Sequence, residues 1–177
     1  MSRPMREIIQ YVLIASALSI LIYYLPNYYM LEKITADHSA ALLNWIGISA
    51  KSWTRDGRAF VNEFEIERMC TGIQVTAVFA GLLVPFPKIS WKRKLAGIGS
   101  VAVLVYLANI GRIALEVVLL YKGILPWYLA HYPTGLILGV FSVAFLVIAL
   151  DYFIPEFGDY AMRAMDSVLP KRSTSPN

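Results

Sequence analysis

Four long apolar runs constrain this chain more than any other feature: residues 8–25 (IIQYVLIASALSILIYYL), 70–86 (CTGIQVTAVFAGLLVPF), 95–121 and 133–153. A helix needs about 20 mostly apolar residues to cross a hydrocarbon core ~30 Å thick. Inside lipid every backbone N–H and C=O must be satisfied by the chain itself, so only helices or closed barrels cross it. Runs this long, with no alternation of apolar and polar residues, predict helices. The expectation is therefore one integral membrane domain over residues 1–177, an all-α polytopic protein with four transmembrane helices. A content of 58% hydrophobic and 16% charged residues, more apolar and less charged than a typical soluble domain, agrees with it. The first run follows a short basic start, MSRPMRE, as in a signal peptide, but it is long and no A-x-A site follows, so it reads as an uncleaved anchor.

The net charge of +4 does not mark a nucleic-acid binder, because the bases sit beside the apolar runs and no basic-aromatic stripe stands apart from them. It sets topology instead. Lys88, Lys92, Arg93 and Lys94 crowd the connection between the second and third runs, which places that loop in the cytoplasm. Both termini then face inward, in keeping with Arg3 and Arg6 at one end and Arg163, Lys171 and Arg172 at the other. The last residues, about 168–177 and ending KRSTSPN, read as a disordered tail.

This topology brings reactive side chains to one depth. Cys70, the single cysteine, opens the second span at its outer end, and His131 lies just before the fourth, also outside. Arg112 is about 26 Å along the third span from the inner boundary, close to the outer surface of the core. Asn109 and Glu116 share its helix face, and Gly111 leaves room beside it. An ionisable residue within a span is expensive to bury and marks a functional site by default. His38, in a polar patch of the outer segment, reads as a surface residue.

A thiol, a guanidinium and an imidazole at one depth suit acyl transfer. The thiolate attacks a carbonyl, the imidazole moves protons, and the guanidinium stabilises the thiolate or the oxyanion. With one Cys and no C-x-x-C or H-E-x-x-H spacing, the reading calls for no metal and no cofactor. Gly97-Ile98-Gly99-Ser100 does not make a G-x-S-x-G elbow. The rival reading is a small membrane scaffold or transporter subunit, with an inert Cys70 and an Arg112–Glu116 pair that only neutralises charge inside the bundle.

Cys70-Thr71-Gly72 at the start of one span, Asn109-Ile110-Gly111-Arg112 late in the next and His131 opening the last resemble the archaeosortase/exosortase family of membrane transpeptidases. The resemblance covers roughly residues 40–145. It implies that Cys70 is the nucleophile and that Arg112 and His131 complete the site, with Thr71, Gly72, Asn109 and Glu116 in support. It also implies the partners: the C-terminal sorting signal of an exported protein, made of a short motif, a transmembrane helix and a basic tail, and a lipid acceptor for the new carboxyl end. Cleavage would run through a thioester on the extracytoplasmic face of the plasma membrane. The chain is shorter than typical members, and the third position, often Arg in archaeosortases proper, is His131 here.

The outer segment 26–69 would then face the substrate. Residues 36–48 space Ala40, Leu43, Ile46 and Gly47 at helical intervals, which predicts an amphipathic helix at the interface. KSWTR and RAFVNEFEI flank Asp56-Gly57, which predicts a small β-hairpin. Gly135 and Gly139 in the fourth span form G-x-x-x-G, a signal for close helix packing.

Overall fold

The computed structural model describes residues 3–87, 89–156, 158, 159 and 162, so Lys88, the tail's Arg163, Lys171 and Arg172, and residues 168–177 lie outside the described residues. Helices α1 (Arg3–Tyr24) and α2 (Tyr29–Trp45) come first, then strands β1 (Ser52–Arg55), β2 (Arg58–Val61) and β3 (Phe64–Ile66). A 3₁₀ turn, Arg68–Thr71, leads into α3 (Ile73–Leu83), α4 (Trp91–Tyr121) and α5 (Trp127–Phe153).

Three of these helices, α1, α4 and α5, are long and apolar enough to cross a membrane, and α3 is not. The second expected span, 70–86, holds a helix of only 11 residues, about 16 Å long. Its ends explain the difference. Gly72 takes a left-handed conformation (φ 76°) that stops helix from growing backward into the cysteine motif, and Pro85 and Pro87 break it beyond Val84. The segment still runs about half the length of α4, since Asn109, past the middle of that helix, donates to the Cys70 carbonyl and Lys94 Nζ, near its start, donates to the Val84 carbonyl (2.6 Å).

Two cores are strung along α4. Its outer half presents Ile113, Ala114 and Val117 to Ala36, Ala40 and Leu43 of α2 and to Ala59, Val61 and Ile66 of the sheet. Its inner half presents Val101 and Val105 to Phe79 and Leu83 of α3 and to Leu150 and Ile154. α1 lies against α3, where Gly81 allows the two backbones to meet: a Cβ there would stand 2.5 Å from the Ala15 carbonyl oxygen. Elsewhere α1 exposes Val12, Leu13, Ile20 and Leu21, as a lipid-facing helix does.

The outer segment departs from expectation in two places. α2 begins seven residues before the predicted Ala36, because the Asn27 side chain accepts a hydrogen bond from the Tyr29 backbone N–H (2.9 Å) and starts the helix there. It ends before Ile46 and Gly47, which form the turn that follows. The predicted hairpin turn is present, with Asp56 and Gly57 both at positive φ and Ser52 to Arg55 facing Val61 to Arg58. The second limb, however, is two strands, not one. Asn62 at φ 52° turns the chain, and Phe64 to Ile66 return along β2 to make a three-stranded antiparallel sheet. The Asn62 side chain holds that turn by accepting from the Lys51 N–H and donating to the Ser49 carbonyl. α5 also begins early: Pro133, expected to open the span, lies inside the helix, and Pro126 caps it.

Candidate active site

The turn that carries Cys70 is assembled locally. The Cys70 N–H donates to the Glu67 carbonyl (2.8 Å), and the Thr71 hydroxyl donates to the Arg68 carbonyl (2.7 Å) while accepting from the Ile73 N–H (3.3 Å). Thr71 is fully enclosed and ties the 3₁₀ turn to α3. Gly72 is needed twice over, for its left-handed φ and for space, since a Cβ there would lie 2.6 Å from Val105 Cγ1 of α4. Asn109, one turn beyond Val105, donates its Nδ2 to the Cys70 carbonyl and fixes the turn against α4. Arg68 anchors it from the other side, with its guanidinium over the Tyr23 and Tyr28 rings (5.4 Å to each) and donating to the Tyr23 carbonyl (3.0 Å).

Arg112 lies one turn beyond Asn109, with its side chain 19% exposed. Its guanidinium stands 3.7 Å from Glu116 Oε1, the expected i,i+4 pair. The other carboxylate oxygen of Glu116 does something the sequence did not reveal, lying 3.1 Å from Nδ1 of His131 on α5. The 8%-exposed Glu116 side chain therefore joins the arginine to the histidine. That contact holds the imidazole by its Nδ1. Among the described residues, Arg112 Nε has no hydrogen-bond partner, so a donor of the guanidinium is uncommitted.

Both charges of the Arg112–Glu116 pair act electrostatically on Cys70. Cys70 precedes α3 and lies outside the three long apolar helices. Burial pushes its thiol pKa up, and this outweighs the hydrogen bond to the thiol from the Glu67 backbone and the charge of Arg112, both of which favour the thiolate. The thiol also packs against the outer core. The structure thus docks the turn of Cys70, Thr71 and Gly72 on Asn109 and sets Arg112 within electrostatic reach of the thiol, and Glu116 ties Arg112 to His131. His38 is exposed on α2, with Nδ1 2.7 Å from the Tyr106 hydroxyl, and takes no part in the cluster.

Of the G-x-x-x-G of α5, Gly135 serves close packing on α4, since a Cβ there would lie 3.1 Å from the Arg112 guanidinium, while Gly139 faces open space. Arg68 is the contributor that sequence reasoning passed over, and its one signal was a base two residues before Cys70. No group of three His, Cys, Asp or Glu side chains among the described residues is placed to hold a metal.

Fold and site together define a multi-pass helical membrane protein with a thiol-bearing turn docked on Asn109, beside an arginine that a buried carboxylate joins to an imidazole. The chain belongs to the transmembrane exosortase family, whose model (Exosortase_EpsH) matches residues 5–150 and so includes every residue of the cluster. No curated protein and no solved structure matches it.

Proposed function

We propose that this exosortase-family protein is a cysteine transpeptidase of the plasma membrane. It cleaves the C-terminal sorting signal of exported proteins and passes the new carboxyl end to a lipid acceptor. The observation that carries this reading is the docking of the Cys70 turn against Asn109 in the layer that also holds Arg112, Glu116 and His131. The lysines and arginine of 88–94 support a cytoplasmic inner loop, both termini inside and the site outside.

In the reaction, His131 Nε2 takes the Cys70 proton as Sγ attacks the scissile carbonyl carbon. Because burial favours the protonated thiol, this transfer accompanies substrate binding rather than preceding it. The oxyanion is met by the Arg112 guanidinium, which lines the cavity beside the turn. Collapse breaks the C–N bond, the leaving amine of the signal takes the proton from His131, and the acyl group stays on Cys70 as a thioester. An acceptor hydroxyl or amine then gives its proton to His131, attacks the thioester carbonyl and expels the thiolate. Water in the acceptor's place gives hydrolysis. Glu116 holds the imidazole by Nδ1 throughout and offsets the charge it gains.

Release of the signal from a co-expressed exported protein ending in a motif, an apolar helix and a basic tail tests this reading. Cys70→Ala should abolish release while the protein accumulates in the membrane, since a small residue at a turn costs little packing. Normal release by that variant would return Cys70 to the inert role of the scaffold reading.

A further inference from the structure

α3 and α5 each pack on α4, and among the described residues their packing on one another is much less extensive than either. The space between them is a trough made of two cavities, about 810 and 450 Å³, that share Val75 of α3 and Val143 of α5 as walls. It begins at the catalytic layer, where Asn109 and Arg112 line it, and ends at Asp151. From Gly135 to Asp151, α5 rises about 24 Å, most of a hydrocarbon core. Apart from Gln74, Asn109, Arg112 and Asp151 the walls are apolar or small, and a Cβ on Gly111 or Gly139 would meet nothing within 4 Å. Asp151 is exposed at the far end, and none of the ion pairs among the described residues engages it.

We propose that this trough docks the membrane-spanning helix of the substrate, and that Asp151 pairs with the Lys or Arg that follows that helix on the cytoplasmic side. The proposal rests on the transpeptidase reading above. Three features select a helix over a lipid chain. Glycines along a groove let another backbone come close, which an acyl chain does not need. A carboxylate at the inner end complements a base there, and carries a cost with no return if the occupant is uncharged. The trough also leads into the catalytic layer, so a helix lying in it presents the peptide just outside the membrane to Cys70.

The test uses the Cys70→Ala protein, which needs no chemistry to report docking. A benzophenone amino acid replaces Val143, inside the trough, or Phe145, exposed on another face of α5. The probe is a secreted reporter ending in a helix of about twenty leucines and alanines, followed by three lysines. Illumination should link the reporter to position 143 and not to 145. Asp151→Asn and replacement of the lysines by serines should each reduce the adduct, and combining them should reduce it no further, as for one shared interaction. Adducts with lipid alone, equal adducts from both positions, or indifference to Asp151→Asn would overturn the proposal. In the Cys70 protein, Gly139→Leu, whose Cβ would meet nothing within 4 Å, adds bulk to the trough and should slow release of the natural signal. Normal release in both Gly139→Leu and Asp151→Asn would sink the docking site and leave the chemistry standing. A charge-dependent adduct at 143 with no Cys70-dependent release would do the reverse.

Discussion

Replacing Glu116 by Gln separates a carboxylate that orients the base from one that merely neutralises an arginine. Its two oxygens stand 3.7 Å from the Arg112 guanidinium and 3.1 Å from His131 Nδ1, and its side chain is only 8% exposed. At that separation and an effective dielectric near 20, the gross attraction to Arg112 is ~4 kcal/mol, from which the cost of burying both charges subtracts. An amide keeps the volume and loses that charge. It also donates, so it can satisfy an imidazole with no proton on Nδ1, and this tautomer carries its proton on Nε2, where it cannot accept one from Cys70. In hydrolase triads the corresponding change costs ~10⁴ in turnover. The expected loss here is ~10²–10⁴, measured as the rate of signal release per amount of enzyme in the membrane. Gln is close in size, so the protein should accumulate near its normal level. Release within about tenfold of normal, a change in barrier of only ~1.4 kcal/mol, would refute the claim that Glu116 positions the base.

Arg112→Lys should assemble normally and lose ~10²–10³ in release rate, because an ammonium keeps the charge beside Glu116 but lacks the planar fork aimed at an oxyanion. Near-normal release would make Arg112 an ion-pair partner only. Gly81→Val should lower thermal stability in detergent by ~1–3 kcal/mol or more, since a Cβ there would lie 2.1 Å from Ser19 Oγ and 2.5 Å from the Ala15 carbonyl oxygen. Gly99→Ala, with nothing within 4 Å, should be neutral. Equal melting of the two variants would remove the close α1–α3 contact from the account.

The members of the site were legible in the sequence because depth is a one-dimensional property. Counting residues along the apolar runs brings Cys70, Arg112 and His131 to one end of the bundle whatever the packing. The contact between Glu116 and His131 was not legible, because i,i+4 spacing shows a residue's neighbours on its own helix and says nothing of which face α5 lays against α4. Hydropathy also overestimated α3, as an apolar count does not register that Thr71-Gly72 turns the chain before the helix starts. Asp56-Gly57 announced its turn, whereas Asn62-Glu63, without a glycine, did not, and so β2 and β3 read as one limb. Asp151 was visible only as a residue near the end of a span until the trough gave it a position.

The thioester on Cys70 is the central claim, and hydroxylamine tests it most directly. Added to membranes holding the enzyme and its substrate, it should intercept the acyl-enzyme, so that mass spectrometry finds the exported protein ending in a hydroxamate at the cleavage point, with none formed by Cys70→Ala. A cleaved protein that never carries the hydroxamate, or one that carries it equally with Cys70→Ala, would contradict covalent catalysis by this cysteine.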